Sequence, residues 1–120
     1  MTPAATQFVT PLTFQSLSGG DVVVDMFTAR EPEAHVEVAR RADALVIAPA
    51  TADCLANLAY GQAPDMVTLT ALATAAPVLV APAMDNQMWE HAATQSNVAM
   101  LVKRGVTFAG PVSGRLASGR

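Results

Sequence analysis

A small set of side chains in this sequence could do chemistry. His35, in Ala34-His35-Val36-Glu37-Val38, is the strongest acid–base candidate, because imidazole exchanges protons near neutral pH. A lone histidine is more often an ordinary surface or core residue. Two other segments pair small residues with polar ones: Pro49-Ala50-Thr51-Ala52-Asp53-Cys54 and Pro82-Ala83-Met84-Asp85-Asn86. Each opens with Pro-Ala before a polar group. Small residues let a planar ligand approach the backbone, and helix N-termini offer free N–H groups to its acceptors. The plainer reading is that Thr51, Asp53, Asp85 and Asn86 only cap helices, the commonest role of such residues. Cys54 would be activated at a helix N-terminus, although packing as a small side chain is the favoured reading. In Met88-Trp89-Glu90-His91, Trp89 reads as core or interface and His91 as structural. No metal-ligand set is assigned.

These residues need elements to hold them. Ala44 to Ala48 and Val78 to Ala81 are continuous apolar runs closed by Pro49 and Pro82. Continuous runs mark strands buried on both faces, as in a parallel sheet under helices. Val106 to Ala109 is a third candidate strand, and Val22 to Val24 a weaker fourth. Thr2-Pro3 and Thr10-Pro11 each read as an N-cap followed by proline at the first helical position, with the second helix ending at Gly19. Further helices are expected from about Glu33 to Arg41, from Thr51 to Tyr60 and from Asp65 to about Thr74. The helix that begins at Thr51 has Leu55, Leu58 and Ala59 inward and stops at Gly61. A last helix, with Val98, Leu101 and Val102 on one face, stops at Gly105. The order is α/β, most simply a doubly wound (Rossmann-like) parallel sheet. In such sheets ligands bind beyond the carboxyl ends of the strands, where both Pro-Ala segments lie.

Composition narrows the classes. The chain has 120 residues, 52% apolar and only 14% charged, with a formal charge of −3. That is one small domain, with more apolar surface than a single globule hides easily, so self-association or a partner segment is the expected outlet. No basic cluster suggests nucleic acid, no apolar run is long enough to span a membrane, and no basic segment opens a signal peptide. A single cysteine excludes an internal disulfide, and cytoplasm is the default location. A nucleotide-binding domain of this class usually opens with a strand and a glycine-rich phosphate loop. This sequence opens on a helix cap and closes on the polar, glycine-rich Gly114 to Arg120, so both ends read as cut. Residues alone support an α/β nucleotide- or flavin-binding domain.

Five motifs in series go further. The 49–54 segment resembles the Pro-Ala-Ser-Ala-Asn-Thr motif of the flavin-dependent cysteine decarboxylases. Pro82-Ala83-Met84-Asp85, with Met88-Trp89-Glu90-His91 after it, resembles their Pro-Ala-Met-Asn motif. Ala34-His35-Val36-Glu37-Val38-Ala39 is similar to their active-site histidine segment, and Gly114-Arg115-Leu116-Ala117-Ser118-Gly119 to the start of their substrate-recognition clamp, placed here at 112–120. Met1 to Ala5 and Phe8-Val9-Thr10-Pro11-Leu12 are similar to the segment after the second strand. The resemblance spans nearly the whole chain in the right order and is strongest to the branch acting in coenzyme A synthesis.

That resemblance implies an FMN-binding homotrimer, or a dodecamer of trimers, with sites at subunit interfaces. It implies decarboxylation of 4′-phosphopantothenoylcysteine to 4′-phosphopantetheine, FMN oxidising the thiol end and returning a hydride after carbon dioxide leaves. A fused or separate phosphopantothenate–cysteine ligase is the implied partner. By position, His35 is the implied acid–base group. Thr2, Thr51, Ala52, Asp53 and Met84 fall to the cofactor, and Asp85, Asn86 and Met88 to the substrate. Ser118 stands where many members carry a cysteine that protonates the reduced intermediate. Departures include Asp85 for asparagine: an ionised Asp85 would repel the substrate carboxylate, so it acts protonated or in another role. Serine at 118 is a far weaker acid than cysteine. The family's first strand, glycine-serine phosphate loop and following helix have no counterpart in the sequence. Two alternatives follow: a non-catalytic flavoprotein or regulatory subunit of a mixed trimer, which the retained His35 argues against, and a peptidyl-cysteine decarboxylase.

Overall fold

The computed structural model describes residues 1–25, 27 and 34–115. After a short 3-10 turn at Ala4–Gln7, the elements are α1 (Pro11–Ser18), α2 (Ala34–Arg41), β1 (Leu45–Ala50), α3 (Ala52–Tyr60), α4 (Met66–Ala73), β2 (Val78–Pro82), α5 (Asn86–Glu90), α6 (Ala92–Lys103) and β3 (Thr107–Phe108). The three strands form one parallel sheet in the order β1-β2-β3. Leu45 lies beside Val78 and Ile47 beside Val80, while Val80 in turn lies beside Phe108. The fold is the expected α/β type, a parallel sheet flanked by helices.

Local chemistry accounts for the helix boundaries. Thr51 adopts extended backbone and its Oγ1 accepts the Cys54 N–H at 3.1 Å, starting α3. Gly61, at φ 68°, ends it, a left-handed turn that costs glycine no Cβ clash. Asp65 and Thr68 form a reciprocal capping box at the start of α4: the Asp65 carboxylate accepts the Thr68 N–H at 2.8 Å, and Thr68 Oγ1 accepts the Asp65 N–H at 3.3 Å. Such caps satisfy N–H groups that the helix itself leaves without acceptors.

The core lies between the sheet and its helices. Ile47, Ala50, Leu55, Ala59, Val80 and Leu101 are buried together, with Leu45, Leu58, Val78, Val98 and Phe108 packed around them. Helix α3 packs on α6 and on α4, and α4 packs on α2. Of the inward set expected for α3, Leu55 and Ala59 are buried and Leu58 packs partly buried beside them, while the third buried residue is the polar Asn57.

Several expectations are corrected. Val22 to Val24 is not a strand; the main chain there is held by the Met1 amino group, which donates to the Val23 carbonyl at 2.8 Å. The Thr2-Pro3 start yields one 3-10 turn, with Thr2 Oγ1 accepting the Ala5 N–H at 3.1 Å. The strands are not covered on both faces: Ile47 is buried, but Val46, which points the other way, is 57% exposed, as the twofold alternation of a strand requires when helices cover one face. Strand β3 is two residues long, shorter than its apolar run. In α6 the buried face is Thr94, Asn97 and Leu101, while Val102 is 54% exposed. Two of those buried residues are polar, so an apolar pattern cannot reveal the face. Glu33, the expected start of α2, lies outside the described residues.

Candidate functional site

Parallel strands in one sheet bring their carboxyl ends to one edge. Ala50 and Pro82 are register partners there, and the Ala83 N–H donates to the Ala50 carbonyl at 3.0 Å. That bond joins the two Pro-Ala segments side by side, although a helix pair separates them in sequence. Ala50 is fully buried and Ala83 is exposed, so the floor of this edge is small side chains and backbone.

Beyond Ala50, α3 begins. Its Thr51 cap engages the Cys54 N–H, and the Thr51 carbonyl accepts the Leu55 N–H. The Ala52 and Asp53 N–H groups are the first-turn donors that a helix leaves without internal acceptors. The Asp53 side chain accepts from Asn57 Nδ2 at 3.3 Å. Beyond Pro82, Met84 packs against the core, and Asp85 caps α5 by accepting the Gln87 N–H at 2.9 Å. Asn86 and Met88 follow on α5, both exposed. Thr51 and Asp85 therefore do cap helices. The plainer capping reading is the one the hydrogen bonds show for these two residues.

His35 lies in the first turn of α2, half-buried, with α2 packed on α4. Helix α4 in turn packs on α3, the helix that begins at the Pro-Ala edge. Thr2 is half-buried and engaged in its 3-10 turn. Ser118 and most of the expected clamp lie outside the described residues. Among the described residues, no group of three or more His, Cys, Asp or Glu side chains could hold a metal, and no helix is long and apolar enough to cross a membrane.

Cys54 packs against the core. Burial pushes its thiol up to about 11, and the nearby Asp65 and Asp53 carboxylates add to the rise. The activated-thiol reading is thereby overturned, since desolvation and negative neighbours outweigh the helix N-terminus. Trp89 also packs on the core. His91, read only as structural, plays a definite part: its Nδ1 accepts the Ala93 N–H at 3.0 Å and caps α6.

Similarity to known proteins agrees with this geometry. The chain is 46% identical over 121 residues to the coenzyme A biosynthesis bifunctional protein CoaBC of Vibrio vulnificus, covering 99% of this chain and 30% of that protein. It is 48% identical over 115 residues to the CoaBC protein of Mycolicibacterium smegmatis, covering 96% of this chain and 28% of the relative. The chain thus spans under a third of the length of these curated relatives. Among solved structures, the FMN-dependent cysteine decarboxylase SpaF superposes with a TM-score of 0.89 at 37% identity, over 95% of this chain and 66% of that one. A PPC decarboxylase mutant complexed with pantothenoylaminoethenethiol superposes with a TM-score of 0.71 at 37% identity, over 77% of this chain and 52% of its own. The model of the family described as Flavoprotein matches residues 1–119, and with the Pro-Ala edge and the parallel sheet in place, the chain belongs to the flavoprotein family.

Proposed function

We propose that this chain is the FMN-dependent decarboxylase portion of an enzyme of coenzyme A biosynthesis, acting on phosphopantothenoylcysteine. The observation that carries the reading is the edge where Ala83 bonds to Ala50, setting both Pro-Ala segments at the carboxyl ends of β1 and β2. The local chemistry suits a flavin. Alanines at 50, 52 and 83 leave room for a planar ring, and the first-turn N–H groups of α3 suit its nitrogen and oxygen acceptors. In this reading Thr51, Ala52 and Asp53 hold the cofactor, with Thr2 and Met84 beside it. When bound, FMN supplies oxidation of the thiol end and return of a hydride. The protein's own part is orientation and proton control. His35 moves the proton, while Asp85, Asn86 and Met88, at the start of α5, position the carboxylate end of the substrate. Ser118 stands in for the family's protonating cysteine.

The same reading includes a homotrimer or dodecamer with sites at subunit interfaces, a cytoplasmic location, and a ligase domain as fused or separate partner, in keeping with the bifunctional relatives. The SpaF superposition raises the alternative of peptidyl-cysteine substrates, but the sequence identity to the CoaBC relatives is higher, 46–48% against 37%. Aspartate at 85 keeps a regulatory-subunit reading in view.

The test is flavin binding, followed by absorbance and fluorescence quenching, on this chain alone and joined to a family-type strand and phosphate loop. Release of carbon dioxide from phosphopantothenoylcysteine by the flavin-loaded protein supports the reading; flavin bound without turnover favours the regulatory subunit. In the active protein His35→Gln is expected to keep FMN and lower turnover by about 10²–10⁴, the usual worth of a general acid–base. Wild-type turnover in that variant removes His35 from the role.

A further inference from the structure

At the amino-terminal end of the sheet, away from the Pro-Ala edge, α3, α4 and α6 line a half-open cavity of about 220 Å3. It lies below the range of about 300–1,000 Å3 typical of drug-sized ligand pockets, so its occupant must be small. Leu58, Leu72, Val78, Leu101 and Val106 form its apolar walls, and Arg104 supplies its cation. Three other polar residues line it, Gln62, Asn57 and Thr68; Gln62 brings a neutral amide, and the side chains of the other two are committed. Asn57 Nδ2 donates to Asp53 and Thr68 Oγ1 donates to Asp65.

Arg104 is different. One nitrogen, Nη1, donates to the Ala59 carbonyl at 2.5 Å near the end of α3. A guanidinium carries five N–H donors in a flat fork suited to carboxylate. Among the described residues the one ion pair is Arg40 with Glu37, so none of their carboxylates pairs with the exposed Arg104. The Ala59 bond also fixes the guanidinium, which reduces the ordering entropy a bound anion would otherwise cost.

We propose that this cavity binds a small monocarboxylate with an aliphatic tail, its carboxylate on Arg104 and its tail against Leu58, Leu72, Val78, Leu101 and Val106. The site is separate from the candidate flavin site, since the two lie at opposite ends of β2 and of α3.

The test uses hexanoate and its neutral analogue hexanamide as probes, titrated into the full chain and followed by amide chemical shifts. Hexanoate is expected to bind saturably, about two- to fivefold tighter than hexanamide, as an ion pair to the exposed Arg104 guanidinium allows. The shifts should centre on Val78, Leu101 and Arg104. Arg104→Gln should erase the preference for the carboxylate. Because that change also removes the Ala59 contact, Leu72→Trp serves as a second variant: it enters from the exposed rim, leaves Arg104 in place, and should abolish binding of both probes. Equal affinity for the two probes, no saturable hexanoate binding, or hexanoate binding unchanged by Leu72→Trp overturns the proposal.

Discussion

The first twenty residues and the stretch from β1 to β3 use apolar side chains to opposite ends. Residues 1–20 contain no Asp, Glu, Lys or Arg, yet α1 has no buried residue, with Leu17 81% and Phe8 89% exposed. The β1–β3 stretch includes Asp53, Asp65, Asp85, Glu90, Lys103 and Arg104 and still builds a core around Leu55 and Val80. Hydrophobicity alone does not make a core; convergent partners do. In α3, Leu55 and Ala59 are four apart and meet the sheet as one stripe. In α1, Leu12 and Phe14 are two apart and project to nearly opposite sides, since each helical residue turns about 100°. A helix apolar on opposite sides gains from cover on both.

The contrast can be broken or sharpened by mutation. The largest effect expected is at the centre of the β1–β3 stretch. Leu55→Ala, at a fully buried site, should cost about 2–5 kcal/mol by lost transfer energy and a residual cavity, read from urea unfolding. An effect near zero would mean that the core is not where the burial pattern puts it. Next come the caps. Asp65→Ala removes the capping box of α4 and should cost about 0.5–2 kcal/mol, with Asp65→Asn recovering most of it because an amide oxygen still accepts.

Cys54 gives a smaller, pH-dependent effect. Its thiol is raised from 9.0 to about 11, so the folded state holds the proton more tightly than the unfolded chain. The stability this contributes is complete below pH 9 and is lost as pH climbs towards 11. The urea midpoint of the wild type should therefore fall more across that window than that of Cys54→Ala, and a disulfide reagent should label the folded thiol slowly at pH 8. Equal slopes would show that the thiol is not desolvated. Smallest of all is the arm. Leu17→Ala should change the stability of the isolated chain by less than about 0.5 kcal/mol. A loss comparable to that of Leu55→Ala would erase the contrast.

Much of this was legible in the residues. The apolar runs at 44–48 and 78–81 announced parallel strands, although the strands run on through Pro49 to Ala50 and into Pro82. Thr51, Asp65 and the glycines at 19 and 61 marked helix limits where the structure has them. Both Pro-Ala segments begin in the last residues of their strands, so the sheet direction alone brings them to one edge. Other features depend on tertiary context. Thr94 and Asn97 are buried polar residues that no apolar pattern flags. Helix α5 is only five residues long, too short for periodicity to register. The cap at His91 uses a ring nitrogen in place of the usual carboxylate or hydroxyl. Cys54 read correctly as packing, and burial alone sets the direction of its shift; that Asp65 folds back beside it and adds to the rise depends on the tertiary fold. Val46 looked buried because a run of apolar residues does not say which face the helices will cover.

The Thr74 hydroxyl donates to the Ala39 carbonyl at 3.0 Å, and among the described residues it is the one side-chain hydrogen bond that ties α2 to the rest of the protein. His35 stands one helical turn before that point, about 6 Å away at 1.5 Å per residue. Helix α2 is thus pinned at Ala39 by this bond in addition to its packing on α4, with the imidazole one turn away. A tilt of about 10° would carry the ring about 1 Å, a displacement that can cost a reaction about a hundredfold. With His35 in its proposed role, a threonine that touches no substrate would set the aiming tolerance of the proton transfer.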